Sequence, residues 1–110
     1  MPVWEAIEEL EPVVDKDSYL GDILLVFLDD DSPCDVSLME ILERRFAAVP
    51  GGRDLRFAFA LKSEHLAHHE HFHIRDTPSA IFVRESIEMD RCTSAEDITS
   101  MVREVIAKYR

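Results

Sequence analysis

The run Ile23-Leu24-Leu25-Val26-Phe27-Leu28 constrains this chain more than any other feature. It has no polar alternation, so neither face of a strand built from it can meet water. It reads as a central strand buried on both sides, which demands covering layers above and below a sheet. The run is also far too short to cross a bilayer as a helix. Gly21-Asp22 opens it and Asp29-Asp30-Asp31-Ser32-Pro33 stops it. Leu55 to Leu61 reads as a second main strand. Ser79–Val83 and Ile87–Arg91 read as a hairpin joined by Arg84-Glu85-Ser86.

Helical spacing fills the gaps between these strands. Pro2 suits a first helical turn, and Trp4, Ile7 and Leu10 recur at spacings of three, which predicts an N-terminal helix ended by Pro12. Val13-Val14 then reads as a very short strand. Leu38, Ile41, Leu42 and Phe46 mark a second helix, closed by Pro50-Gly51-Gly52. Ser63 with Glu64 opens a short helix that runs to about His71. Ser94 with Asp97 begins a last helix, whose apolar stripe is Ile98, Met101, Val102, Val105 and Ile106. The chain of 110 residues shows no repeat or linker, so one α/β domain over residues 1–110 is expected.

Charge narrows the function classes. Acids outnumber bases 23 to 12, giving a net charge of −11. Nucleic acid and anionic membrane would repel such a chain, so basic peptides and proteins are the better partners. The two cysteines, Cys34 and Cys92, are too few for a secreted disulfide framework. No basic-then-apolar leader precedes the acidic N-terminal residues, so a cytoplasmic protein without membrane insertion is expected.

One segment carries a specific likeness. Phe72-His73-Ile74-Arg75-Asp76-Thr77-Pro78-Ser79-Ala80-Ile81-Phe82 resembles the thioredoxin segment around its cis-proline. The element order matches too, and the resemblance covers about Ile23 to Tyr109. It implies a thioredoxin-like fold, with a mixed sheet of four to five strands flanked by helices and a cis Pro78 ahead of the hairpin. It also implies a groove in which Thr77-Pro78 offers main-chain hydrogen bonds to an extended peptide.

The redox motif of that family is degenerate here. Where the family has Trp-Cys-Gly-Pro-Cys, this chain has Asp29-Asp30-Asp31-Ser32-Pro33-Cys34-Asp35. Aligned on Pro-Cys, Cys34 takes the place of the second cysteine and Asp31 that of the nucleophile. Aligned on the first cysteine, Cys34 is a single thiol and Ser37 replaces its partner. The flanking tryptophan is absent in both registers, and the family's buried acid falls on Val26. A thiolate at Cys34 would have a helix N-terminus in its favour and four aspartates against it.

A second likeness is to a cysteine-poor thioredoxin-fold branch that serves hydrogenase maturation. It rests on the helix expected from Trp4 to Leu10, on Pro12-Val13, and on Ser32-Pro33, Asp35-Val36-Ser37, Glu40-Ile41-Leu42-Glu43 and Phe46. That resemblance implies an accessory chaperone engaging the twin-arginine leader of a hydrogenase small subunit. All five histidines fall between His65 and His73. His65 and His69 stand four apart on a helix, a spacing that can chelate Zn, Ni or Cu with help from Glu64 or Glu70. A solvated surface helix explains the cluster without a metal.

The sequence therefore favours a non-catalytic peptide-binding module without a cofactor. Its groove is expected to be bordered by Asp29, Asp30, Asp31, Ser32, Pro33, Cys34, Asp35, Thr77, Pro78 and Cys92. The alternative is a thiol-disulfide oxidoreductase or monothiol protein acting through Cys34, with or without Cys92. Oligomeric state and partner identity are left open at this level.

Overall fold

The computed structural model describes residues 4–6, 22–46, 55–84 and 87–108 of the chain. Five strands form one sheet in the order β1-β3-β2-β4-β5. They are β1 (Trp4–Ala6), β2 (Asp22–Leu28), β3 (Leu55–Leu61), β4 (Ser79–Arg84) and β5 (Ile87–Cys92). The helices are α1 (Pro33–Arg45), α2 (Leu66–His71) and α3 (Ala95–Lys108). β3 runs parallel to β1 and β2, whereas β4 is antiparallel to both β2 and β5.

Every residue of β2 is buried, as its unbroken apolar run requires. Alternate side chains go to opposite faces. Leu24, Val26 and Leu28 join Leu38 and Leu42 of α1 and Ile98, Met101, Val102, Val105 and Ile106 of α3. Ile23, Leu25 and Phe27 pack on the other face with Ala58, Ala60, Phe72, Ile81 and Val83. The sheet is thus covered on both sides. The expected stripe of α1 is narrower than the sequence implied, because Ile41 lies 45% exposed while Leu38 and Leu42 point inward.

The N-terminal helix expected from Trp4 is not formed at its start. Trp4–Ala6 is a strand, with Trp4 opposite Phe57 and Ala6 opposite Phe59. β3 would otherwise expose the N–H and C=O groups of its outer edge, and pairing them outweighs a spacing pattern of three apolar residues. Ile7 to Leu10, Pro12 and the strand expected at Val13-Val14 lie outside the described residues.

The peptide bond between Thr77 and Pro78 is cis, as the resemblance implied. α3 begins as expected, with Ser94 Oγ accepting a 3.0 Å bond from the Asp97 N–H. α2 does not begin at Ser63. His65 is its N-cap, and Ser63 sits in the turn before it. The helix ends in a paired closure, His73 N–H to the Glu70 carbonyl at 3.1 Å and Ile74 N–H to the His69 carbonyl at 2.8 Å. His73 takes the left-handed conformation, at φ 55°, that this closure usually gives to glycine.

Candidate functional site

The segment after β2 is a loop held by its own polar groups. Ser32 N–H donates to the Asp29 carbonyl at 2.9 Å, and Asp31 N–H to Asp29 Oδ1 at 2.9 Å. Ser32 is the N-cap of α1, its Oγ accepting from the Asp35 N–H at 3.4 Å, and Pro33 occupies the first helical turn. Asp35 closes the loop from below. Its carboxylate is 2% exposed and its Oδ2 accepts from the Asp29 N–H at 2.9 Å.

The four aspartates are therefore not equivalent, although all four were expected to border the groove. Asp35 is internal and unavailable to a partner. Asp29 turns back on its own loop. Asp30 accepts from the Ser63 N–H at 3.1 Å and from the Ser63 hydroxyl. These two bonds, hydroxyl first, hold the Asp30 carboxyl below the usual carboxylate range. Lys62 N–H donates to the Leu28 carbonyl at 2.8 Å, so the loops after β2 and β3 are tied side by side. Asp31 is exposed and its carboxylate has no partner among the described residues. Ser63, read from sequence as a helix cap, is the residue of this site that sequence reasoning missed. A Ser-Glu pair before a helix gives no sign of a carboxylate 33 positions upstream.

Thr77 and Pro78 adjoin this loop. Ser79 stands opposite Phe27, so the register sets Pro78 level with Leu28, the last residue before the aspartates. Both Thr77 and Pro78 are half-buried. Cys92 lies opposite Ala80 on β5, two residues further along. Topology thus gathers the expected groove residues at one end of the sheet.

The thiols separate. Cys34 is exposed in the first turn of α1, while the residue that turns inward there is Asp35. Neither register from the sequence analysis foresaw this: the buried position holds a carboxylate, and Cys34 is beside it. Cys92 is half-buried, and its Sγ faces Met101 Sδ at 4.0 Å. Burial, then the charges of Asp97 and Asp90, push its thiol up to about 11, so it stays protonated near neutral pH. Both cysteines are free.

The histidine cluster is a solvated surface only in part: His71 and His73 are exposed, whereas its other members turn inward to different degrees. His65 and His69 are 9% and 4% exposed. The Nε2 of His69 lies 2.9 Å from the Ala60 carbonyl oxygen, as the N–H donor of that bond, and the ring meets Phe27 edge-on at 5.1 Å. His65 packs against the His68 ring at 5.6 Å. One ring nitrogen of His69, Nε2, is committed to the backbone. Among the described residues no group of three or more His, Cys, Asp or Glu side chains is placed to hold a metal ion.

The sheet order, the covering helices and the cis proline define the thioredoxin fold. No family profile matches the sequence, and no curated protein matches it either. Solved structures do. Thioredoxin from Trypanosoma brucei brucei superposes with a TM-score of 0.72 at 13% identity, covering 96% of this chain and 93% of its own. Thioredoxin from Malassezia sympodialis gives 0.71 at 16% identity, over 99% and 94%. Thioredoxin from Fasciola hepatica gives 0.70 at 17% identity, over 100% of both chains. At these identities the likeness is one of fold. No helix among the described residues is long and apolar enough to cross a membrane.

Proposed function

We propose that this chain is a non-catalytic accessory protein that binds an extended basic segment of a partner protein at the end of the sheet formed by Asp29–Asp31 and Thr77-Pro78. The observation that carries this reading is the replacement of a paired-thiol loop by one organised around Ser32 and the buried Asp35 carboxylate, beside a cis proline. Asp31 presents its charge freely, with Asp29 and Asp30 behind it. Arginine suits such carboxylates better than lysine, because its planar fork can bond two oxygens at once. Exposed pairs of this kind are each worth only about 0.2–1 kcal/mol, so they would chiefly speed association and make it salt-sensitive.

The partner class we favour is the twin-arginine leader of a hydrogenase small subunit. The support is the charge of the loop and the resemblance around Ser32–Phe46. The Trp4 part of that resemblance no longer contributes, because a strand stands where it implied a helix. The test titrates such a leader peptide against the wild-type chain and against Asp29→Asn/Asp30→Asn/Asp31→Asn. Salt-sensitive binding that the triple variant loses is expected. Equal binding by both proteins, or none at low salt, overturns the reading.

A monothiol function is the second reading, and the exposure of Cys34 in the first turn of α1 favours it. Reduction of insulin disulfides that Cys34→Ser abolishes would establish it in place of the first. We expect no such turnover.

A further inference from the structure

The hairpin and α3 enclose a second feature that the peptide-binding reading does not use. A groove of about 200 Å³ runs between them. Phe82, Met101 and Val105 form its floor, and Met89 stands at its lip. The register of β5 slips at this point: Asp90 pairs with Phe82 and Glu88 with Val83, which leaves Met89 as an extra, unpaired residue. Such a bulge re-aims its side chain. Met89 is 53% exposed and Ile87, two residues before it, is 64% exposed, an apolar pair on a strand whose other residues are Glu88, Asp90, Arg91 and Cys92. The volume is below the roughly 300–1,000 Å³ of pockets that enclose a drug-sized ligand. It suits one large side chain.

Charge decides what kind. Asp90 and Glu104 line the groove, as do Arg84 and Lys108. Arg84 is paired with Asp22, Nε to Oδ2 at 3.4 Å, so its charge is answered outside the groove. What remains is Lys108 against Asp90 and Glu104 around an apolar floor, a weak field beside that of the Asp29–Asp31 loop, so recognition there is chiefly apolar. Position decides whose side chain it is. Met101 touches Cys92, which is level with Ala80 and so close to Pro78. From there α3 leads through Val105 to Lys108, beside Arg84 at the hairpin turn. The groove therefore starts near the end of the sheet where the acidic loop stands, and leads away from it.

We propose that this groove is a second docking surface for the same partner segment, taking one large apolar side chain of a peptide whose basic residues meet Asp29–Asp31. The proposal rests on the peptide-binding reading above. From Pro78 to Phe82 is four residues of β4 and from β2 to β5 is two strand spacings, which together set the two surfaces about 16 Å apart. An extended peptide covers that distance in about five residues. The expected ligand is two adjacent arginines, a polar spacer of about five residues, then leucine, methionine or phenylalanine.

Fluorescence anisotropy with three synthetic peptides tests this: arginine pair–spacer–leucine, the same peptide with serine for leucine, and one with the leucine directly beside the arginines. Each is titrated against wild type, Met89→Ser and the Asp29→Asn/Asp30→Asn/Asp31→Asn variant. The spaced leucine peptide is expected to bind wild type about tenfold more tightly than the other two, as burial of one apolar side chain implies. Met89→Ser, at an exposed position, should remove most of that advantage and leave the serine peptide unchanged. Equal affinity of all three peptides for wild type, with the triple variant weakened, overturns the groove and leaves the acidic site standing. No binding of any peptide at low salt overturns both. A concentration-dependent dimer dissolved by Met89→Ser overturns the assignment by giving the groove to a second copy of this chain.

Discussion

At the scale of single residues, the site is organised by groups that face inward. Asp35 accepts from the Asp29 N–H while sitting in the first turn of α1, so it acts on loop and helix together. Asp35→Ala removes the acceptor and the charge, leaving a partly buried N–H without its bond. A loss of about 1–3 kcal/mol in urea denaturation is expected. Asp35→Asn keeps an acceptor oxygen and loses only the favourable charge at the helix N-terminus, so its cost should stay within about 0.3–1 kcal/mol. Equal losses in the two variants would show that the hydrogen bond contributes nothing. The cysteines give a second contrast. Cys34 is exposed, whereas Cys92 is packed on Met101 with its thiol raised to about 11. Titration with a disulfide reagent near neutral pH should modify Cys34 promptly and Cys92 only as the chain unfolds. Fast labelling of both in the folded chain would contradict the position of Cys92.

At the scale of the element, α2 couples histidine chemistry to the sheet. Burial depresses the pKa of His69; the bond to Ala60 and the charge of Asp29 oppose this, and Lys62 and His65 add to the depression. The folded pKa lies below the unfolded one, so the unfolded chain binds the proton more readily. The stability from a neutral, buried His69 is complete above the unfolded value of about 6.5 and is lost as pH falls through the folded pKa. Urea midpoints should therefore drop as pH falls from about 6.5, and His69→Gln should flatten that slope. An unchanged slope in the variant would assign the dependence to other groups. Asp30 acts in a lower window, since its pKa is depressed below 3.8 by Ser63 and its contribution fades only as pH falls through that lower range. This element also shows why sequence reading stopped short. A spacing of four between His65 and His69 states that they share a face. It does not state whether that face meets water or the Phe27 ring, because the partner comes from a strand some forty residues away.

At the scale of the molecule, part of what was legible followed from chain-local physics and part from resemblance. Seven buried residues in β2 force two covering layers and the hairpin could be placed by its own turn signals, whereas the cis bond at Pro78 was implied by the likeness to the thioredoxin segment. The rest depended on which strand edge needed a partner, as at Trp4–Ala6, and on which of four adjacent aspartates the fold turned inward. Neither is encoded in spacing. Those aspartates also belong to a larger field. The net charge of −11 is carried on a chain with a radius of gyration of 12.7 Å. Charges on such a body lie within about one or two Debye lengths of each other at 0.1 M salt, so their repulsion is only partly screened. Stability should then rise with added sodium chloride. The two neighbours Asp30 and Asp31 separate repulsion from bonding. Asp31 has no partner for its carboxylate among the described residues, so Asp31→Asn removes repulsion at the expense of only a weak attraction to the N-terminus of α1, raising stability by up to about 0.5 kcal/mol at low salt and by less at high salt. Asp30→Asn removes the same unit of charge but also weakens the clamp to Ser63, and it should destabilise the chain at both salt concentrations. Thermal melts of the two variants at low and high salt decide the matter. If both variants gain stability together, the Asp30–Ser63 clamp does not hold the two loops, and the acidic end of the sheet is governed by net charge alone.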